Sequence, residues 1–304
     1  MQFCVQDTGP AVPQTRQPTQ RLSHDAWVHI AEWLGKQAPG STPKMLQTSL
    51  LIKKAVTEAR PDTVAVSKRR FPRGEGLLET LNQRSTWSTL TELSLQHCGL
   101  QEAGGQVLAQ FLNENTTLRK LDVSKNALMS AGGCAVAQAL HAHRAMLELD
   151  VSRNSMGVYD AGIAAGQAFA SLLENNSVLE CLKICNNQMQ TEAVSQLIVP
   201  LRKSTPRPNT TLSSLDLSGN FLYDENACFE IATMLKDNST LTRLHLRETR
   251  ITGRGVELLM AGMRTNTTVG FLDLRDIQYP AFTVAMHNNY RQLRTRVLAT
   301  CTDS

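Results

Sequence analysis

LRKLDVSKNAL (Leu118–Leu128) and MLELDVSRNSM (Met146–Met156) are near copies of one another set 28 residues apart. The same phrase is heard again in LSSLDLSGNFL (Leu212–Leu222), LTELSLQHCGL (Leu90–Leu100), LECLKICNNQM (Leu179–Met189) and LTRLHLRETRI (Leu241–Ile251). A weaker copy, VGFLDLRDIQY, runs from Val269 to Tyr279. All fit L-x-x-L-x-L-x-x-N-x-L, and successive copies start 28, 28, 33, 33, 29 and 28 residues apart. A fixed period of this length marks a stack of identical supersecondary units, none of which can bury its apolar face alone.

Each unit changes period halfway. Its first half alternates: Leu121 and Val123, Leu149 and Val151, or Leu215 and Leu217 are separated by polar residues, as in a strand with one buried face. Its second half is spaced by four. Gly104, Leu108 and Leu112, or Gly132, Val136 and Leu140, fall on one face of a helix. Between the halves stands an Asn (Asn126, Asn154, Asn187, Asn220) whose amide can bond backbone groups where the chain leaves the strand, and neighbouring amides can stack. Cys98 and Thr249 take that place in two units. Asn115, Asn176, Asn238 and Asn266 lie just past the helices, where Asn stabilises a C-terminal turn. That position also accounts for most of the Asn-x-Ser/Thr triplets (Asn115, Asn175, Asn209, Asn238, Asn266), which are read as structural rather than as glycan acceptors.

These motifs resemble the leucine-rich repeat family, in its long, ribonuclease-inhibitor-like subtype, over about residues 90–280. The resemblance implies an α/β solenoid: a horseshoe with a concave parallel β-sheet and convex α-helices. It implies protein binding rather than a particular chemistry.

The flanks are read separately. Val64, Val66 and Phe71 lie 29 residues before Leu93, Leu95 and Leu100, with Leu78 and Leu81 as a helix face, so one degenerate unit is expected over 61–89. At the other end Ile277 replaces the ladder Asn and Pro280 stops the pattern. Phe282, Met286, Tyr290 and Leu293 then suit a capping helix within 281–304. The repeat domain is thus placed at 61–280, after an unstructured tail over 1–21 and a helical segment over 22–60. Two units carry five extra residues, near Gly157–Gly166 and near Lys203–Asn209, on opposite rims. Such insertions cost little, and they fit either drift or added contacts.

The helical segment has two readings. Trp27, Ile30, Trp33 and Leu34 share one face after Ser23 or Asp25 as N-cap, and Leu46, Leu50 and Val56 follow beyond a Pro/Gly/Ser break. This suits a cap over the first repeat. Leu22–Val56 also resembles an F-box, on Leu22, Asp25, Ile30, Leu34, Leu46, Leu50 and Lys54, although Ser23 stands where that family has proline. That resemblance implies docking to a Skp-type linker protein through Leu22, Ile30, Trp33, Leu34, Leu46 and Leu50, and a substrate receptor of a cullin–RING ubiquitin ligase.

The polar strand positions form the expected binding face. The middle row reads Ser94, Asp122, Asp150, Lys183, Asp216, His245, Asp273, on strands about 4.8 Å apart. Lys183 between Asp150 and Asp216, and His245 between Asp216 and Asp273, can be satisfied internally. Stacked Asp122 and Asp150 should raise a carboxyl pKa. Glu92, Lys120 and Glu148 lie in the outer rows toward the N-terminus, and Arg243, Arg247 and Arg275 toward the C-terminus. The basic end suits an acidic segment of a partner, since Arg pairs bidentately with carboxylates. The alternative is a solvated, self-compensated surface.

Composition narrows the function. The chain has 304 residues, a net charge of +4, 41% hydrophobic and 5% aromatic residues. Residues 1–89 carry 12 Lys/Arg against 7 Asp/Glu, leaving 19 against 20 for the rest, so the repeats lack the one-sided basic footprint of a nucleic-acid binder. SKRRFPR (Ser67–Arg73) reads as a solvated loop or as a nuclear-import patch. No run nears the roughly 20 apolar residues of a membrane helix, and Met1–Arg21 lacks a signal-peptide core. Seven scattered cysteines suit a reducing compartment. A cytoplasmic location is expected, with nuclear, cytoskeletal and flagellar settings open.

No nucleotide, hydrolase or zincin motif occurs. Cys181 and Cys185 share a strand face, but His245 is two repeats away, which argues against zinc. His141 and His143 end a helix and are expected to meet carbonyls or solvent. The expectation is a non-enzymatic scaffold or adaptor, without cofactor and monomeric within a complex. The subtype is also similar to Ran GTPase-activating and axonemal repeat proteins, which implies those functions as further alternatives.

Overall fold

The computed structural model describes residues 63–65, 90–158 and 161–275, the first of these as backbone only, within the compact unit Gly40–Ser304. Among the described residues eight short strands form one parallel sheet in strict chain order: β1 (Thr63–Ala65), β2 (Glu92–Ser94), β3 (Lys120–Asp122), β4 (Glu148–Asp150), β5 (Cys181–Lys183), β6 (Ser214–Asp216), β7 (Arg243–His245) and β8 (Phe271–Asp273). Between them run the helices α1 (Gln101–Glu114), α2 (Met129–Ala139), α3 (Ala161–Asn175), α4 (Thr191–Ile198), α5 (Glu225–Asp237) and α6 (Gly253–Met263). A short 3-10 turn, Val199–Leu201, extends α4.

The register follows the repeat without slippage. Leu93, Leu121, Leu149, Leu182, Leu215, Leu244 and Leu272 stand opposite one another in succession. A one-residue slip would turn every one of these leucines to solvent, so the alternation fixes the pairing. Val64 pairs with Leu93, in the register that the 29-residue spacing sets for it. The remainder of that unit (Val66, Phe71, Leu78, Leu81), the whole of 22–60 with its F-box resemblance, and the helix expected over 281–304 lie outside the described residues.

The core is a single layer between sheet and helices. Leucines of the first three template positions from Leu118 to Leu244 are 0–1% exposed. The helices close this layer with small residues where they touch. A Cβ on Gly105 of α1 would lie 2.7 Å from the Gly132 Cα of α2, and one on Gly166 of α3 would lie 2.2 Å from the Ala193 carbonyl oxygen of α4. Those positions therefore set how closely neighbouring helices approach.

Two columns of side-chain amides tie repeat to repeat. In the first, the Cys98 N–H donates to Asn126 Oδ1 (2.8 Å), Asn126 N–H to Asn154 Oδ1 (2.9 Å), Asn154 N–H to Asn187 Oδ1 (2.8 Å) and Asn187 N–H to Asn220 Oδ1 (3.1 Å). Each Nδ2 donates to carbonyls of its own and the preceding strand, as Asn154 does to Val151 (2.9 Å) and Val123 (3.0 Å). All four amides are 0–1% exposed, so they satisfy backbone groups that water cannot reach. Cys98 and Thr249 bound the column, the Thr249 hydroxyl donating to the Leu246 carbonyl at 2.6 Å.

The second column lies where helix returns to strand. Asn115, Asn176, Asn209, Asn238 and Asn266 each accept the N–H groups two and three residues on. From Asn176 onward each Nδ2 also reaches back to carbonyls of the previous repeat. These amides thus do more than close a helix, and Asn209 belongs with them. His143 fills the second repeat's place. Beyond the carbonyl contact expected of it, its Nδ1 accepts the N–H groups of Ala145 (3.4 Å) and Met146 (3.2 Å), standing in for an Asn oxygen. Burial pushes its pKa down, against the opposing pull of the Asn115 carbonyl, which suits a ring that must keep a lone pair on Nδ1.

Candidate functional site

The helices cover one face of the sheet, and the other face presents three rows of side chains. The first row comes from the first residue of each strand: Glu92, Lys120, Glu148, Cys181, Ser214, Arg243, Phe271. The middle row comes from the third residue, from Ser94 to Asp273. A third row, two residues further on, reads Gln96, Ser124, Ser152, Cys185, Ser218, Arg247, Arg275. All the face residues expected from sequence fall on these rows.

The acidic middle row serves the backbone first. Oδ1 of Asp122, Asp150 and Asp216 accepts the N–H of Ser124, Ser152 and Ser218, each at 2.9 Å. The Asp-x-Ser pattern is therefore a cap on the strand end, an Asx-type local bond. Asp150 has its pKa pushed up, by burial before all else and by Asp122 beside it, against the bonds from Ser152 and the attraction of Lys183. The anticipated repulsion acts, but burial is the larger cause.

Charge over β2–β5 is paired diagonally. Lys183 Nζ donates to Glu148 Oε1 at 2.5 Å, instead of lying between Asp150 and Asp216 as its row position suggested. Its four-carbon stem lets it reach the next row, where two lone pairs are less committed than those of the capping aspartates. Lys120 lies 3.7 Å from Glu148 and 3.9 Å from Glu92. The bond from Lys183 holds the Glu148 carboxyl below its usual range, against its burial. The Lys183 ammonium is raised in turn: desolvation is the largest single influence and pulls its pKa down, but the Glu148 bond together with the attraction of Glu148, Cys181 and Asp150 outweighs it. Cys181 and Cys185 have their thiol pKa values raised by burial, and Cys185 Sγ donates to Ser152 Oγ at 3.0 Å. No group of three or more His, Cys, Asp or Glu side chains among the described residues could hold a metal ion.

The β7–β8 end differs in kind. Arg275 grips Asp273 with two bonds, Nε to Oδ1 at 2.8 Å and Nη2 to Oδ2 at 2.7 Å. Asp273 is only 4% exposed, and the Arg275 bond holds its carboxyl below the usual range against burial. The Asp at the end of the row is thus neutralised by its own strand, and Arg275, one of the three arginines expected at the basic end, is committed to it. Arg247 Nη2 lies 3.1 Å from Glu248 Oε1, a rim pair of small worth. His245 Nδ1 is 3.8 Å from Asp273 Oδ2, as its place between acids anticipated.

Sequence reasoning missed Phe271. Its ring lies 5.0 Å from that of His245, tilted by 46°, and it is 39% exposed. Among the described residues it is the one exposed large hydrophobic carried by a strand. The available signal was an apolar residue at a template position that is polar in most other repeats.

Comparison with known proteins bears on the family. The Leucine Rich repeat family model matches residues 88–109, 114–137, 209–225 and 237–260. No curated protein matches the chain. Solved structures with a similar trace include the actin-binding site 2 of leiomodin-1 (17% identity, TM-score 0.41, covering 53% of this chain and 89% of that one). An internalin of Listeria monocytogenes (13%, 0.25, 84% and 89%) and a yeast Rad7–Elc1 complex (13%, 0.25, 82% and 81%) are similar more distantly. No helix among the described residues is long and apolar enough to cross a membrane. With the repeated motif, the in-register parallel sheet and the matching family model in agreement, the chain is a leucine-rich repeat protein, of a fold that generally serves protein interaction.

Proposed function

We propose that this chain is a non-enzymatic scaffold or adaptor that binds a protein partner across the open face of its sheet and the adjoining rims. One observation carries the reading. The seven strands β2–β8 offer three continuous rows of mostly polar and charged side chains on a face that none of the described helices covers. Most of its described ionisable groups are tied to one another or to the backbone, as Lys183 is to Glu148 and Asp150 to Ser152, rather than set as a nucleophile beside a base. A broad, rigid surface of this kind suits recognition by complementarity.

Site-specific photo-crosslinking in cells tests it. A photoreactive residue replaces Ser214 or Ser218 on the face, and Asn226 or Lys236 on the exposed side of α5 serves as control. The expected result is one protein captured from the face positions and not from the helix positions. Equal capture from both sets, or from the helix side alone, would overturn the reading. Recovery of a Skp-type linker and cullin, abolished by deleting residues 1–59, would assign the chain to ligase substrate receptors.

A further inference from the structure

We infer that the β7–β8 end of the face is the anchor point, and that it takes an acidic protein segment carrying one apolar side chain, seated on Phe271 and His245 between Arg243 and Arg275. The inference rests on the scaffold reading and supplies its partner's chemistry.

Interface anchors concentrate in aromatic and Arg side chains set in a polar surround. Phe271 offers the apolar element, with its ring braced by His245 at 5.0 Å instead of moving freely. Arg243 stands directly opposite Phe271 in the sheet register, is exposed, and makes no ion pair among the described residues. Beyond the other end of the strand, on the same face, Arg275 keeps 70% of its side chain exposed while two bonds to Asp273 fix its orientation. Because Asp273 is buried beneath it, the atoms turned outward there are those of the guanidinium, its charge balanced by the carboxylate below. An ordered Arg loses little further entropy on meeting a carboxylate. Arg247 adds a third cation at the rim, already beside Glu248.

Elsewhere on the face the described residues offer no equivalent. Over β2–β5 the first row is Glu92, Lys120, Glu148 and Cys181, cross-linked by ion pairs and without an exposed large apolar side chain. There Lys183 is already engaged by Glu148. At β7–β8 a partner gains contacts while leaving Asp273 and Arg275 as they are. A basic segment meets three arginines, and a purely acidic one leaves the Phe271 surface in water, so the occupant is both acidic and apolar.

The test is selection of a displayed library of random dodecapeptides on the full chain, followed by fluorescence anisotropy of the enriched peptides. Enriched sequences should carry Asp and Glu around one aromatic or aliphatic residue. Phe271→Ala and Arg243→Glu should each weaken them about fivefold or more, with Phe229→Ala, an exposed aromatic on α5, as unaffected control. Arg275 is avoided as a probe, because its loss strands the buried Asp273. Both test residues are exposed, and an unchanged melting temperature confirms folding. Enrichment of basic or neutral peptides, no enrichment, or indifference to both substitutions would overturn the inference. Crosslinks from Ser214 and Ser218 would in that case still show whether the face binds a protein, so the two readings fail separately.

Discussion

Replacing Asn154 by Ala removes one link from the middle of the buried amide column. The side chain is 0% exposed, and its Oδ1 accepts the N–H of Asn126 at 2.9 Å and of Leu128 at 3.3 Å. Its Nδ2 donates to the carbonyls of Val123 and Val151. Those carbonyls keep a second partner, since Asn126 Nδ2 also reaches Val123 and Asn187 Nδ2 reaches Val151. The N–H groups have no such reserve. Each buried donor left unmade costs about 1–3 kcal/mol, so the variant should lose roughly 2–5 kcal/mol. For a body of this size that is a fall of about 5–15 °C in Tm. Asn154→Asp should lose at least as much, since it turns a carboxylate oxygen toward two carbonyls in a buried site. Asn175→Ala, whose exposed amide bonds only Ser171 of its own helix, should change stability by under about 0.5 kcal/mol. Urea denaturation followed by circular dichroism gives the totals, and native-state hydrogen exchange locates them at the amides of Asn126 and Leu128. An Asn154→Ala protein within about 0.5 kcal/mol of the parent, or with those two amides equally protected, would refute the reasoning.

Gly166→Ala should cost about 1–3 kcal/mol in the same denaturation assay, because its Cβ would lie 2.2 Å from the Ala193 carbonyl oxygen, whereas Gly270→Ala, with nothing within 4 Å, should be neutral. His143 is held neutral in the fold, so its contribution is complete above its ordinary pKa of 6.5 and declines as pH falls below it. His143→Asn, which restores the residue found elsewhere in that column, should remove this slope from a stability-versus-pH curve while preserving the fold. Two carboxyls act in opposite senses at lower pH. Glu148, with its pKa held below 4.5, contributes stability above that pH and loses it as pH falls through the lowered value, so Glu148→Gln should flatten the acid limb. Asp150, pushed above 3.8, imposes a penalty once ionised, so Asp150→Asn should stabilise the protein at pH 7, its oxygen still accepting from Ser152.

The repeat was legible because its constraints are few and local. Leucines at alternating positions can face only one layer, and a period held from Leu90 to Ile251 fixes both strand order and register. The asparagine between strand and helix was legible for the same reason: no other side chain offers both an acceptor and a donor at that reach. Where a different residue does the work, composition misleads. His143 presents a ring nitrogen where an amide oxygen is normal, and nothing in HAHRAM distinguishes an accepting imidazole from a solvated one. The ion pairs were illegible on other grounds. Row order placed Lys183 among the aspartates, but the length of its side chain and the prior use of Asp150 by Ser152 decided for Glu148. Arg275 and Asp273 lie two apart on one strand, and only the side-chain rotamers show that they close on each other.

That difference between rows decides how the face can be interrogated. A charge reversal at Asp122, Asp150 or Asp216 removes an acceptor from the backbone N–H two residues on, so weakened binding would carry a folding defect within it. The third row is partly spent as well, Gln96 donating to Ser124 and Cys185 to Ser152. In the first row the side chains of Arg243 and Phe271 make no such bond to the backbone among the described residues, and they are exposed at the end where the adjoining Asp has been neutralised by its own strand. Evolution can change residues of this kind without penalty to the stack, which is the condition for a repeat surface to acquire a partner. On the proposed reading, binding specificity is expected to reside in the first-row side chains of β7 and β8, since Asp122, Asp150 and Asp216 also cap the strand ends.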